Sequence, residues 1–241
     1  MSLSRREFIG ISGAAVAGMA LAPGLRLVEL ARARSPEEAV TRLQRWGLLV
    51  DIGKCHDCNA CVTACHEENG VTSHGRPATD AQWIRKVELK DKLTGYVETL
   101  PVMCQHCAEP PCVDVCPTGA SFKRIDGIVL VDKHICIGCR YCMMACPYKA
   151  RSFVHEETTK QKPHAPRGKG TVESCTLCVH RVDTGRIPAC VEACNKDGNK
   201  AMVFGDLKDP NSEINKQLAS APTTQLRPDL NLNTGVRYRG I

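Results

Sequence analysis

The chain has 241 residues, sixteen of them cysteine, and a formal net charge of +6 at pH 7. Aromatic side chains make up only 4% of the residues, so the large rings that usually fill a core of this size are scarce. The mild positive charge comes without a basic helix or an aromatic-interleaved patch, which argues against nucleic-acid binding. The cysteine content exceeds what intracellular enzymes usually carry, and it makes metal the natural organiser of the interior.

The N-terminal residues 1–33 resemble a twin-arginine export signal. Arg5 and Arg6 precede an apolar run of small residues from Ile11 to Ala22. This run is too short to span a bilayer, for which about 20 apolar residues are needed. Ala31-Arg32-Ala33 fits the small-x-small cleavage pattern, although an uncleaved signal anchor stays open. The leader predicts that an already folded protein is exported to the periplasm.

All sixteen cysteines fall into four motifs of four. Motifs one and three share the C-x2-C-x2-C-x3-C spacing of bacterial ferredoxins, and motifs two and four widen only the middle gap. In chain order the motifs are Cys55, Cys58, Cys61 and Cys65; Cys104, Cys107, Cys112 and Cys116; Cys136, Cys139, Cys142 and Cys146; and Cys175, Cys178, Cys190 and Cys194. Three thiolates on one tight loop can reach three corners of a cubane, and the fourth cysteine is expected to start a helix and to ligate the neighbouring cluster. The spacing therefore predicts four [4Fe–4S] clusters, held by motifs that work in pairs.

Other uses of the cysteines fit the spacing less well. Exported proteins often form disulfides and paired C-x2-C units also bind structural zinc, so a zinc- or disulfide-stabilised interaction module is the alternative from another class. Covalent haem is excluded because C-x-x-C-H does not occur, and no cysteine is left over as a catalytic nucleophile. The chain is thus interpreted as an electron carrier with no catalytic residue and no small-molecule substrate of its own. His56, His66 and His106 lie beside motif cysteines and are given no role, because surface histidines are the commoner outcome.

The segments between the motifs predict an α+β fold of tandem ferredoxin-like units with pseudo-twofold symmetry and many loops. Asp126-Gly127 stands between two apolar runs and is a strong hairpin signal. Residues 102–152 are therefore predicted to form an inserted two-cluster ferredoxin module from motifs two and three. Motif one with a second hairpin, in residues 34–101, must then pair with motif four, in residues 153–210. A short strand is expected at Met202–Leu207. Residues 211–241 are interpreted either as a tail that contacts a partner or as a disordered terminus.

Over residues 50–210 the chain resembles the four-cluster [4Fe–4S] electron-transfer subunits of respiratory oxidoreductases. The four motifs, the leader, Pro188–Cys194 and Phe204–Leu207 carry this resemblance. Within that family, Asn195-Lys196-Asp197 and residues 231–238 look like the periplasmic subunits of sulfite-reduction-linked Dsr membrane complexes. The resemblance implies anaerobic sulfur metabolism, with a quinone-reactive integral membrane subunit and a multihaem cytochrome c as partners. The alternative is an electron-transfer subunit of a molybdopterin oxidoreductase that acts on polysulfide, thiosulfate, tetrathionate or a similar oxidant.

The resemblance also implies how the iron ligands are shared. Each cluster takes three cysteines of one motif and the fourth cysteine of the paired motif. The implied groups are Cys55, Cys58, Cys61 and Cys194 for cluster 1; Cys175, Cys178, Cys190 and Cys65 for cluster 2; Cys104, Cys107, Cys112 and Cys146 for cluster 3; and Cys136, Cys139, Cys142 and Cys116 for cluster 4. We use these four numbers for the same groups throughout.

Overall fold

The structure is a computed structural model that describes residues 40–56, 58–159 and 161–241. The twin-arginine segment lies outside the described residues, so export by that route stays a prediction. In the described part of the chain, no helix is both long enough and apolar enough to cross a membrane. Helices and strands are mixed in this part, which agrees with the α+β class and with ferredoxin-like units.

A three-stranded sheet contains strands from both ends of the described chain. Its central strand is β1 (Trp46–Asp51), which pairs antiparallel with β8 (Met202–Asp206) and parallel with β9 (Val236–Arg239). The sequence of β1, WGLLVD, is a nearly continuous apolar run, as expected for a strand that is covered on both faces. Leu48 and Leu49, on opposite faces of the strand, are accordingly both buried. The predicted strand at 202–207 is therefore present, at the edge of this sheet.

The C-terminal residues contribute to the chain's own fold. Helix α6 (Glu213–Ser220) packs on β8 and β1, and β9 follows it. Tyr238 in β9 is 0% exposed; its hydroxyl donates to the Pro101 carbonyl at 3.0 Å, and Gln105 Nε2 donates to the same hydroxyl at 3.1 Å. The sequence analysis missed β9, although its alternation of apolar and polar residues is a strand pattern. Contact of residues 211–241 with a partner stays a prediction.

Two hairpins lie where the sequence predicts them. β2 (Ile84–Lys90) pairs antiparallel with β3 (Val97–Met103), and β4 (Ser121–Lys123) pairs antiparallel with β5 (Val129–Val131). Gly127, in the turn between β4 and β5, has a φ of 88°, a left-handed conformation that glycine adopts without strain. A short pair, β6 (Ser152–Phe153) with β7 (Val172–Glu173), joins the module to the segment before motif four.

Five short helices lie within or beside the cysteine motifs. They are α1 (Ala60–Asn69), α2 (Pro111–Asp114), α3 (Tyr141–Ala145), α4 (Val179–Val182) and α5 (Ala189–Lys196). Helix α1 packs on α5, and α2 packs on α3. The outer motifs, one and four, therefore meet each other, and so do the inner motifs, two and three. Pseudo-twofold symmetry of the whole stays a prediction.

The expectation that each fourth cysteine starts a helix is wrong. The helix begins at or near the third cysteine instead, and it ends before the fourth cysteine in motifs two and three. Pro117 and Pro147 explain this end, because the residue before a proline is disfavoured in the helical conformation. Cys146, before Pro147, has the extended φ and ψ of −75° and 111°. Motifs one and four lack this proline, so α1 and α5 continue past their fourth cysteines.

Candidate metal centres

The helix pairs bring cysteines from paired motifs together around three cavities. Each cavity is lined by three cysteines of one motif and the fourth cysteine of the paired motif. The cysteines of the three cavities are, respectively, Cys104, Cys107, Cys112 and Cys146; Cys116, Cys136, Cys139 and Cys142; and Cys65, Cys175, Cys178 and Cys190. These are the groups that the sequence analysis expects for clusters 3, 4 and 2.

The remaining four cysteines also lie close to one another. The pKa of the Cys61 thiol is raised to about 12, first by burial and then by the negative charges of Cys55, Cys194 and Cys58. Burial is also the main cause of the raised pKa of Cys55, and the negative charges of Cys194 and Cys58 add to the rise. The structure therefore brings together the cysteines expected for cluster 1. All sixteen cysteines are free thiols, so none of them is in a disulfide.

Backbone amides donate hydrogen bonds to the cysteine sulfurs. The N–H of Ser121 lies 3.3 Å from the Cys116 sulfur, and that of Ala201 lies 3.3 Å from the Cys194 sulfur. Leu177 N–H lies 3.4 Å from the sulfur of Cys175 in its own motif. Such bonds stabilise negative charge on sulfur and are among the factors that set the potential of an iron–sulfur cluster.

The chemistry of the cysteine groups fits an iron–sulfur cubane. Burial, together with the charges of neighbouring cysteines, raises the pKa of Cys104 and of Cys107 to about 12. Four thiolates crowded into one buried cavity are unstable without a compensating cation. Iron supplies that positive charge and is bound by thiolates, so metal binding would deprotonate these thiols.

The four groups differ in their access to solvent. Every cysteine of the group expected for cluster 2 is buried, whereas Cys139 in the group expected for cluster 4 is exposed. Two apolar side chains close to Cys139 in sequence are also exposed: Ile137, which lines the same cavity, is 66% exposed and Met144 is 76% exposed. The group expected for cluster 4 therefore reaches the protein surface.

Sequence reasoning missed a buried arginine between the two inner groups. Arg151 is 5% exposed, and its Nη2 donates to the Cys112 sulfur at 3.1 Å. Burial alone would lower the pKa of Arg151, but the negative charges of Cys112, Cys104 and Cys142 give a net rise. No sequence motif identifies this residue. It follows the turn after Cys146, and only the fold brings it close to cysteines of both inner groups.

The expectation that the histidines lie at the surface is wrong for His106, which is 2% exposed. The backbone N–H of Val129, on β5, donates to its Nδ1 at 3.0 Å. Burial is the main reason that its pKa is lowered to about 4, so the ring is neutral at pH 7. His106 thereby joins motif two to the module hairpin. His56, in contrast, is exposed.

Comparison with known proteins agrees with these observations. The profile of a 4Fe-4S dicluster domain matches residues 95–207, and that of a second 4Fe-4S dicluster domain matches residues 54–120. The Hdr-like menaquinol oxidoreductase iron-sulfur subunit 1 of Archaeoglobus fulgidus is 44% identical over 98% of this chain and 97% of its own length. One subunit of the tetrathionate reductase of Salmonella typhimurium is 38% identical over 100% of this chain and 90% of its own length. Protein NrfC of Escherichia coli K12 is 40% identical over 74% of this chain and 73% of its own length.

Proposed function

The chain belongs to the family of iron–sulfur electron-transfer subunits of membrane-linked oxidoreductases, and we propose that it relays single electrons through four [4Fe–4S] clusters. The observation that carries this proposal is the gathering of sixteen cysteines into four groups, each built from two motifs. A [4Fe–4S] cluster supplies one-electron chemistry, with a potential that the surrounding protein sets. The chain's own residues contribute ligands, amide hydrogen bonds and burial.

The unequal exposure of the four cysteine groups supports a proposal for which surface of the chain contacts another subunit. Electron exchange with another subunit requires a close approach to a cluster, and Cys139 is the exposed ligand. We assign the surface around Cys139, with Ile137 and Met144, to contact with a redox subunit of the complex. The buried group expected for cluster 2 would then serve inside the relay.

At the finer level, we propose a periplasmic subunit of a sulfite-reduction-linked Dsr complex, with a quinone-reactive membrane subunit and a multihaem cytochrome c as partners. The Archaeoglobus relative is named as a subunit of a menaquinol oxidoreductase, which supports a quinone-linked partner. The Salmonella relative is part of a tetrathionate reductase, and it supports the alternative of a molybdopterin enzyme. Purification of the intact complex distinguishes the two, because a molybdenum-containing subunit would favour the second.

The number of clusters is tested by the iron and acid-labile sulfide content of anaerobically purified protein. Four cubanes give roughly sixteen of each per chain, together with paramagnetic signals of reduced [4Fe–4S] clusters. About twelve or fewer of each would contradict the four-cluster proposal. Zinc in place of iron would favour the interaction-module alternative and would overturn the relay.

The sharing of ligands is tested with Cys116→Ser. If Cys116 belongs to cluster 4, this variant should alter the same resonance as Cys136→Ser does, although Cys136 lies in another motif. Cys107→Ser, within the same motif as Cys116, serves as the matched comparison and should alter a different resonance. If Cys116→Ser instead resembles Cys107→Ser, the exchange of fourth ligands between motifs two and three is wrong.

A further inference from the structure

Arg151 differs from the other buried arginines of the described residues in how its charge is balanced. Arg167 Nη2 lies 2.7 Å from a carboxylate oxygen of Glu173. Arg181 pairs with Glu68 and with Glu192. The described residues place no carboxylate within ion-pair distance of Arg151, and its sulfur contact is with Cys112 at 3.1 Å. Cysteine sulfur, not carboxylate, is therefore the acceptor beside its charge.

The position of Arg151 relates it to both inner groups at once. Its side chain lines the cavity that Cys104, Cys107, Cys112 and Cys146 share. Burial raises the pKa of Cys142, in the group expected for cluster 4, and the nearby charge of Arg151 opposes that rise. Two further nitrogens of Arg151, Nε and Nη1, are buried and find no acceptor among the described residues. These N–H groups lie next to a cysteine cavity and lack an acceptor, and the sulfide or thiolate sulfur of a bound cluster could accept their hydrogen bonds.

We propose that Arg151 is a shared electrostatic tuning residue, which raises the reduction potentials of clusters 3 and 4 together. The inference rests on the proposed function, because it requires a cluster in each inner cysteine group. When a cluster takes up an electron from a redox partner, it becomes more negative by one charge. A buried cation nearby favours that reduced form, and the low dielectric of the interior keeps this effect from being screened.

The decisive measurement is a redox titration of the wild-type protein and of Arg151→Gln, followed by paramagnetic resonance. Glutamine keeps a polar side chain but removes the charge, so the midpoint potentials of two of the four clusters should fall and those of the other two should stay. Unchanged potentials in all four clusters would overturn the proposal. A merely structural role would lower the iron content or the thermal stability without a selective shift in two potentials.

Arg85→Gln is the matched control. It removes the same unit of charge from a side chain that donates to the carbonyls of Lys149 and Tyr148, close to Arg151 in sequence. Arg85 is partly exposed, so water and salt screen its charge. The midpoint potentials of all four clusters in Arg85→Gln should therefore stay at the wild-type values. Shifts as large as those of Arg151→Gln would show that any nearby positive charge suffices, which contradicts the proposal.

Arg151→Lys keeps the proposal testable if the glutamine variant does not assemble. Lysine keeps the charge as a compact point but lacks the planar fork that faces two groups of sulfurs. Because the positive charge is kept, we expect the potentials of both inner clusters in Arg151→Lys to stay near the wild-type values. A fall in the potentials of the two inner clusters although the charge is kept, or a fall in all four, would contradict tuning by charge.

The iron and sulfide content of each variant separates this inference from the proposed function. A wild-type protein without four clusters would remove the premise and would refute both. Four clusters in wild type and in Arg151→Gln, with identical potentials, would refute only the tuning role. The two failures therefore give different results in the same samples.

Discussion

The three-stranded sheet and the inner ferredoxin module are stabilised in different ways. In the sheet, β1 is six residues long, and Leu48, Val50 and Tyr238 form a buried apolar core around it. In the module, β4 and β5 have three residues each, and helices α2 and α3 have four and five. Elements of this length are marginal by themselves. The sheet therefore depends on ordinary packing, whereas the module depends on what its cysteines bind.

The largest expected effect follows from removing the metal. When the clusters are destroyed by oxidation in the presence of a chelator, we expect the amides of β4 and β5 to lose their protection from hydrogen exchange. The amides of β1 and β8 should keep more of theirs, because apolar burial stabilises their pairing. Hydrogen exchange measured by mass spectrometry on peptides from the two regions checks this difference.

The matched comparison for that experiment is the intact protein under the same buffer and time points. Equal loss of protection in the sheet and in the module would mean that the sheet also depends on the clusters. Full protection of both regions after iron loss would also contradict the expected difference, because the module would then be stable without metal.

A smaller effect is expected from Tyr238→Phe, which acts on the sheet. The substitution removes a hydroxyl that bonds Pro101 and Gln105, and it leaves those buried groups without that partner. The cost should be about 1–3 kcal/mol of unfolding free energy. Thermal unfolding of the holoprotein, followed by circular dichroism, should show a lower midpoint, with the cluster absorbance unchanged below the transition.

Tyr96→Phe is the control for that variant, because Tyr96 is exposed and its hydroxyl bonds only the neighbouring Glu98 among the described residues. It should change the midpoint little. If both variants behave alike, the buried contacts of Tyr238 add nothing to the stability of the sheet.

The smallest effect is expected at the start of α6. Ser212 caps this helix, since its Oγ accepts a hydrogen bond from the backbone N–H of Asn215 at 3.4 Å. Ser212→Ala should cost about 1 kcal/mol. Ser220→Ala, at the other end of the helix and outside any N-cap, is the matched control. A destabilisation of Ser212→Ala no greater than that of Ser220→Ala in the same thermal assay would contradict the capping role.

Features set by local sequence could be predicted, and features set by long-range contacts could not. Asp126-Gly127 between apolar runs specifies its hairpin through the turn alone. The cysteine spacings likewise indicate iron–sulfur motifs, because each motif closes a loop within a short stretch. The start of each helix near the third cysteine was missed, since the ferredoxin analogy concerned only the fourth.

Other residues were missed because distant segments determine their environment. Strand β9 pairs with β1, which lies far away in sequence, and its four residues give only a brief alternating pattern. Arg151 and His106 are polar residues with no motif of their own, and only packing shows that they are buried. The sequence shows that an arginine is present at position 151. That this arginine has no carboxylate partner among the described residues becomes visible only in the folded chain.

The position of the sheet strands along the chain has a consequence for the order of folding. β1 precedes all sixteen cysteines, while β8 and β9 both follow the last of them. Pairing of β1 with either neighbour must therefore close a loop that contains every ligand, and such distant pairing is slow. During synthesis β1 therefore has no partner strand of this sheet until all sixteen cysteines have been synthesised. The sheet is thus expected to be the late step of folding, and cofactor assembly has that interval in which to act on an open chain.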